Sequence, residues 1–214
     1  APINELGYGQ VGWNVLKELD KAGVEVALFH VKGDTHQVIR DNHPSRHEIL
    51  KRALSRQSFF NPTAPSVRLW HQHDLAEHVG SGPRYGWPIF ELDTFTDREI
   101  HHLVSQDQIL VCSKWAKEIV VSNLQERVLT QDGGNTSTYW DNHTHVVPLG
   151  IDEEIFFPEK KKEKTPYIFL CIGKWEYRKG HELIGTAFSR AFHENDDVQL
   201  WMMCDNPFID AEST

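Results

Sequence analysis

The chain has 214 residues, of which 39% are apolar and 25% charged, a composition typical of a globular protein. Its 22 lysines and arginines against 31 aspartates and glutamates give a formal net charge of −9. This balance argues against general binding of nucleic acid or anionic membranes, because such binding depends on clustered cations. No apolar run reaches the roughly 18 residues that span a bilayer, and no signal peptide opens the sequence. We therefore expect a cytoplasmic protein with one large domain or one and a half.

Apolar runs of strand length alternate with segments of helical periodicity along most of the chain. Such units predict an α/β fold, in which helices cover parallel sheets and ligands bind at the carboxyl ends of the strands. In the first part of the chain, the predicted elements are a helix that ends at Gly23, a strand 24–30, a helix 44–58, a strand 67–70, a strand 86–91, a helix 96–104, a strand 107–112, a helix 113–129, a loop 131–142 and a strand 143–149.

Three of these elements carry a specific local signal. Pro88 predicts that 86–91 lies at a sheet edge or begins a strand, because proline cannot donate to a strand ladder. Thr96 followed by Glu99 is the pattern of a capping box, and Ser113 is a good N-cap for the next helix.

The clearest boundary lies at 158–166, where six consecutive charged residues stand between prolines. Such a segment predicts a solvated linker. A strand 167–172, a helix 179–193 and a strand 198–204 follow it as a β-α-β unit. The sequence therefore predicts a first domain 1–157, a charged linker 158–166 and a partial second domain 167–214.

The three cysteines, Cys112, Cys171 and Cys204, lie in apolar surroundings without the spacing of a metal site. They predict buried free thiols in a reducing compartment.

Gly7-Tyr8-Gly9, with Gly12 close behind, stands just before the first predicted helix. Glycines at this position allow a phosphate or a sugar to approach the backbone and the positive end of the helix. A simple tight turn explains the same residues. The full dinucleotide-binding pattern is absent.

His71 and His73 follow directly after the predicted strand 67–70. A histidine there can hydrogen-bond a sugar hydroxyl or transfer a proton near neutral pH. Two histidines at i and i+2 also share a face in extended chain, so a metal site is an alternative. The metal hypothesis is weakened by Leu75, which stands where a hydrolase-type HxHxDH run would have an aspartate. A structural role is the third alternative.

The segment 173–180 (GKWEYRKG) follows the strand 167–172 and contains Lys174, Arg178 and Lys179. Cations are normally disfavoured at a helix N-terminus, so their presence indicates a function. Lysine and arginine there can neutralise a diphosphate leaving group. The alternative is a solvated first turn of the helix.

Taken in order, these segments resemble the retaining glycosyltransferases of the GT-B fold, family 4 (glycosyltransferase group 1), and the resemblance covers nearly the whole chain. The matching segments are LGYGQVGWNVLKEL near the start, HQH, ILVCSKWAKE, VVPLGIDEEIFFP at 146–158 and GKWEYRKGHELIGTAF. The resemblance implies a Rossmann-like parallel-sheet domain followed by a truncated second one. It also implies metal-independent transfer of a hexose from a nucleotide diphosphate sugar, with retention and without a cofactor.

The resemblance implies a role for each matched residue. Lys174 and Lys179 match the pair that grips the donor diphosphate, although arginine is more usual at the first position. Arg178 stands between them. Gly7 and Gly9 match the glycine loop that faces the donor phosphate and the acceptor.

His73, more than His71, matches the histidine near the reacting sugar. The family's Glu-x7-Glu motif has no match after the linker, and the pairs Glu91/Glu99 and Glu118/Glu126 precede it. With the missing initial Met and the short segment before the glycine loop, this predicts a piece of an enzyme, whose own activity is open. The resemblance leaves open which nucleotide and which sugar form the donor, and whether the acceptor is a sugar, a lipid or a protein.

Two further hypotheses come from other classes. The chain is a non-catalytic binding or assembly module that associates with itself through exposed strand edges of the truncated domain. Less favoured is a metal-dependent hydrolase built on His71, His73 and other histidines.

Overall fold

The computed structural model describes residues 1–4, 6–30, 44–127, 136–159 and 166–205, with side chains described from residue 47 in the third range and from residue 138 in the fourth. Contacts divide the chain into unit 1, Ala1–Ile151, and unit 2, Asp152–Thr214. No helix in the described parts of the chain is long and apolar enough to cross a bilayer. Most of the linker predicted at 158–166 lies outside the described residues.

Unit 1 contains five α-helices and four strands among its described residues. They are α1 (Gly7–Lys21), α2 (Pro44–Ser55), β1 (Ser66–Trp70), β2 (Arg84–Pro88), α3 (Asp97–Val104), β3 (Gln108–Val111), α4 (Lys114–Arg127), α5 (Thr136–His143) and β4 (Thr144–Val146), with short 3-10 turns at Arg56–Ser58 and Gln72–Asp74.

The four strands form one parallel sheet in the order β1-β2-β3-β4. Unit 1 is therefore a mixed α/β unit consistent with a Rossmann-like fold. Its apolar interior has two parts. One is built from β3, α3, α4, α5 and the segments beside them, with Leu75, Phe95, Ile100, Leu103, Ile109, Val111, Ala116, Val120, Leu124 and Trp140. The other joins α1 and α2 through Ile3, Trp13, Leu16, Leu28, Leu50 and Ala53.

Local signals predicted several elements well. The strands at β1, β3 and β4 and the helices α2, α3 and α4 are confirmed, apart from bounds. Thr96 and Glu99 form the capping box: Glu99 Oε2 accepts from the Thr96 N–H at 2.7 Å, and Thr96 Oγ1 accepts from the Glu99 N–H at 3.4 Å. Ser113 Oγ accepts from the Ala116 N–H.

Three predictions were wrong. The segment 24–30 is not a strand. Its backbone hydrogen-bonds to the end of α2, where the Leu28 N–H donates to the Ala53 carbonyl at 3.0 Å. The Leu28 side chain nevertheless packs in the core. The strand with Pro88 lies inside the sheet and ends at that proline. The predicted loop 131–142 contains α5, because Trp140 is buried in the core and Tyr139 stacks on His143; residues 131–135 lie outside the described residues.

Unit 2 is a β-α-β unit in its described residues, as predicted. β5 (Tyr167–Lys174) pairs in parallel with β6 (Val198–Asp205), and α6 (His181–Ala191) connects them after a 3-10 turn at Tyr177–Lys179. The three cysteines of the chain are free, as expected, but they are half-buried rather than buried.

Candidate functional site

The rings of Tyr8, His71 and His73 lie together at the carboxyl end of β1. His71 follows the strand directly, and His73 lies in the 3-10 turn after it. Their rings stack, with centroids 5.2 Å apart and planes at 13°. Tyr8, from the first turn of α1, also contacts His71, at a centroid distance of 4.5 Å. The structure therefore brings together the glycine segment and the histidine pair, which are far apart in sequence.

The hydrogen bonds of Tyr8 assign the tautomer of His71. The Tyr8 hydroxyl donates a short hydrogen bond to the Ile89 carbonyl and lies 3.2 Å from His71 Nδ1. Because the single phenol proton is used at Ile89, Nδ1 must donate to the Tyr8 oxygen. Nε2 of His71 then has a free lone pair and can accept a proton or a hydroxyl hydrogen bond.

The surroundings of His71 favour its neutral form. Burial is the main reason why the pKa of His71 is below its usual value, and the charge of His73 lowers this pKa further. Burial likewise raises the pKa of Tyr8, so the phenol keeps its proton. At neutral pH His71 is therefore a neutral acceptor, whereas His73 lies exposed beside it.

Arg68, buried in β1, holds the turn that carries the histidines. Its Nε donates to the Asp74 carbonyl at 2.6 Å, and a guanidinium nitrogen lies 3.1 Å from the Asp74 carboxylate. Another donates to the Glu77 carbonyl at 2.8 Å. Gln72, in the same turn, donates to Glu99 of α3 at 2.8 Å. The turn is therefore fixed to its own strand and to the neighbouring helix.

The predicted glycine loop is not a loop. α1 begins at Gly7 itself, so Gly7, Gly9 and Gly12 all lie in the helix. A Cβ on Gly9 would be 2.1–2.3 Å from atoms of Asn4, and a Cβ on Gly12 would be 2.3 Å from the Pro2 carbonyl oxygen. These two glycines let residues 2–4 pack on the helix. Gly7 has nothing within 4 Å of its Cβ position, so the described residues leave space for a ligand beside it.

In unit 2, the turn between β5 and α6 gathers three cations around one carboxylate. Glu176 forms a short ion pair with Lys174, lies 3.0 Å from Arg178 Nε and is 4.0 Å from Lys179 Nζ. The hydrogen bond from Lys174, helped by the charges of Arg178 and Lys179, holds the pKa of Glu176 below its usual value although desolvation opposes this. The group of four side chains, which we call the cation turn, has a formal charge of +2.

Two glycines shape the cation turn. Gly180 has φ 64°, a left-handed conformation that favours glycine, and it is the N-cap of α6. Gly173 ends the apolar part of β5 and leaves space for Lys179, whose Nζ would lie 3.2 Å from a Cβ at position 173. The cations therefore stand at the carboxyl end of a parallel strand and before a helix N-terminus, as the sequence predicts.

Metal-type side chains are grouped elsewhere than the sequence suggests. Among the described residues, the one cluster of three such groups is Cys171, His181 and Cys204. His71 and His73 therefore gain no third ligand from the described part of the chain, and the hypothesis of a hydrolase metal site there has no support.

Comparison of the chain with protein-family models, with curated proteins and with solved structures finds no match.

Sequence reasoning missed Tyr8 and Glu176. Tyr8 stands between two glycines whose spacing predicts a backbone role for the segment, and nothing in the sequence indicates that its ring contacts His71. Glu176 is the single acidic residue in the cationic segment 173–180, and this position indicates that its carboxylate pairs with the neighbouring cations.

Proposed function

We propose that the chain carries the donor-phosphate turn and the sugar-contacting histidines of a retaining glycosyltransferase of the GT-B fold, which moves a hexose from a nucleotide diphosphate sugar to an acceptor. The observation that supports this most is the cation turn: Lys174, Arg178 and Lys179 converge in a chain whose net charge is −9.

The Glu176 carboxylate occupies the position among the three cations that we assign to the donor diphosphate. It holds three cations close to one another, which would otherwise repel, and it carries a single negative charge. A diphosphate offers more negative charge and more acceptor oxygens than one carboxylate, so it competes well for the same donors. Cations that contact the leaving diphosphate stabilise the charge that develops there during transfer.

His71 and His73 supply the contact to the sugar. Nε2 of His71 accepts at neutral pH, and the exposed His73 ring lies against it, so both present polar atoms to a hydroxyl-rich ligand. This part of the proposal needs no metal and no side-chain nucleophile.

Isothermal titration of the whole chain with UDP and GDP, and with their hexose conjugates, tests the proposal. One of the two diphosphates should bind, and the matching monophosphate should bind more weakly because it engages fewer donors. Lys179→Ala should weaken binding about 10- to 100-fold, the range expected for loss of a charge-assisted hydrogen bond. His71→Gln should lower the affinity for the sugar conjugate and leave that for the free diphosphate unchanged.

Lys51→Ala is the matched control, since Lys51 is an exposed lysine of α2 in unit 1. It removes the same charge from the chain as a whole. Failure of every nucleotide diphosphate to bind contradicts the proposal, as does equal weakening in Lys51→Ala and Lys179→Ala.

A second candidate function is self-association. The face of the β5–β6 sheet opposite α6 is apolar and exposed among the described residues, with Ile168, Leu170, Ile172, Trp201 and Met203 on it. Exposed apolar faces of this kind mark interaction surfaces. Sedimentation should then show a dimer that dissociates in Leu170→Glu; a monomer at all concentrations contradicts this candidate.

A further inference from the structure

Two cysteines and a histidine meet between the sheet of unit 2 and α6. Cys171 lies on β5, Cys204 on β6, and His181 is the first residue of α6. One ligand atom from each lies within 4.8 Å of the other two. Phe169, two residues before Cys171, contacts Phe188 of α6. The alternation of side chains along a strand therefore turns Cys171 toward the helix as well.

The strand register explains why the two sulfurs are close without being bonded. Gly173, not Cys171, is opposite Cys204, so the cysteines are diagonal neighbours on one face. Diagonal neighbours have Cα atoms about 7–8 Å apart, beyond the usual disulfide range of about 4.4–6.8 Å. Both thiols are free in the structure. The sulfurs are thus placed for a shared third atom rather than for a direct bond.

A tetrahedral zinc ion fits this spacing. With Zn–S bonds of about 2.3 Å, two sulfurs on one zinc ion are roughly 3.7 Å apart. From the 4.8 Å limit of the cluster, the two sulfurs have to approach each other by at most about 1.1 Å. Zinc binds well to thiolate and imidazole ligands, whereas magnesium and calcium prefer oxygen ligands.

His181 is held for such a role. It is 4% exposed, and of the described residues of unit 2 it is the one that is buried. The Trp175 ring stacks on it at 5.0 Å and 18°. Its Nδ1 accepts a long hydrogen bond, 3.4 Å, from the Glu176 N–H. Coordination by either nitrogen sacrifices only this weak bond, because it uses the Nδ1 lone pair or places a proton there.

The sparse interior of unit 2 is a second, independent observation. No apolar side chain among its described residues is buried, so packing among these residues does little to hold the strands and the helix together. A metal that joins β5, β6 and the start of α6 ties together the three elements of the unit. A groove lined by Trp175, His181, Met202 and Cys204 adjoins the cluster.

From these observations we infer that Cys171, His181 and Cys204 bind one Zn²⁺, which fastens the β-α-β unit. Binding displaces the two thiol protons to solvent, so two thiolates balance the charge of the ion. The site adjoins the nucleotide contacts proposed above, since His181 accepts from the Glu176 N–H, but the inference does not depend on them.

Cobalt titration of the reduced, metal-stripped whole chain without a histidine tag tests this inference. Co²⁺ takes zinc sites and gives a sulfur-to-cobalt charge-transfer band when thiolates bind. The band should saturate at one equivalent and disappear on adding Zn²⁺. Cys171→Ser and Cys204→Ser should each lower the Zn²⁺ affinity by about 100-fold or more, since even changes around the ligands cost 10- to 100-fold. Cys112→Ser, a change in unit 1, should leave the titration unaltered.

A second measurement uses the unaltered protein, so that misfolding of a variant cannot imitate the result. Zn²⁺ should protect Cys171 and Cys204 from alkylation at least tenfold, while Cys112 reacts at the same rate with and without the metal. Equal protection of all three cysteines, absence of the cobalt–thiolate band, or a Cys171–Cys204 disulfide in the unreduced protein would overturn the inference.

Discussion

Lys179 lies over Gly173, so close that a β-carbon at position 173 would be 3.2 Å from the ammonium nitrogen. Lys179 belongs to the cation turn, and Gly173, just before the turn, leaves the space that the lysine occupies. The position of the Lys179 ammonium therefore depends on the absence of a side chain at position 173.

Gly173→Ala tests this dependence. The added methyl group should push Lys179 away at little cost in stability, because the far end of a lysine side chain moves easily. Since nucleotide binding rests on the proposed function, affinity for the diphosphate that binds should fall several-fold, with the thermal midpoint unchanged within about 2 °C. Gly185→Ala, with open space around its Cβ position in α6, is the control and should bind as the unaltered chain does.

The first turn of α1 offers a matched pair of substitutions. Alanine normally stabilises a helix by about 1 kcal/mol relative to glycine. Gly7→Ala should therefore leave the stability of the chain equal or higher. Gly9→Ala should lower it by about 2 kcal/mol or more, because the new methyl group meets backbone and side-chain atoms of Asn4 at 2.1–2.3 Å.

Urea unfolding of both variants measures the difference. Equal stability of Gly7→Ala and Gly9→Ala would show that Asn4 does not pack on the helix as described. If Gly7→Ala alone weakens nucleotide-sugar binding, the open approach at the helix start is used by the ligand.

Glu99 makes the stability of unit 1 depend on pH. Burial tends to raise the pKa of its carboxyl group, but hydrogen bonds from Thr96 and Gln72 outweigh this and hold the pKa below the usual 4.5. The ionised form therefore stabilises the folded state. This contribution is fully present above pH 4.5 and is lost as the pH falls through the lower pKa of the folded state.

Glu99→Gln should accordingly lower the free energy of unfolding by about 1–2 kcal/mol at pH 7. The gap between the variant and the unaltered chain should narrow steadily below pH 4.5, as chemical unfolding at several pH values can follow. Glu118→Gln, an exposed position on α4, should show no gap. A gap at Glu99 that persists undiminished at the lowest pH would refute the assigned role of its charge.

Elements with a strong local signal were predictable from the sequence. The capping box of Thr96 and Glu99 and the apolar strands β1, β3, β5 and β6 need only their own residues to be recognised. The segment 24–30 shows the limit of this reasoning: its apolar residues do enter the core, but a strand also requires a neighbouring strand, which the local sequence does not report. Likewise, α5 depends on the burial of Trp140 rather than on the polar residues around it.

The candidate site divides in the same way. The cation turn is contiguous in sequence, so Lys174, Arg178 and Lys179 were predicted together and the structure places them together. Contacts between distant segments were not predictable. Tyr8 meets His71 only through packing of α1 beside β1, and Cys171 approaches Cys204 only through the parallel register of β5 and β6.

The buried Arg68 holds the 3-10 turn Gln72–Asp74, which follows His71, through a guanidinium group that stays charged. Arginine keeps its proton at every pH at which proteins fold, and it binds the Asp74 carbonyl as well as the carboxylate. Acidification can therefore charge His71 while the backbone that carries it stays in place. Protonation of His71 therefore changes the charge of the turn without breaking the hydrogen bonds from Arg68 that hold it.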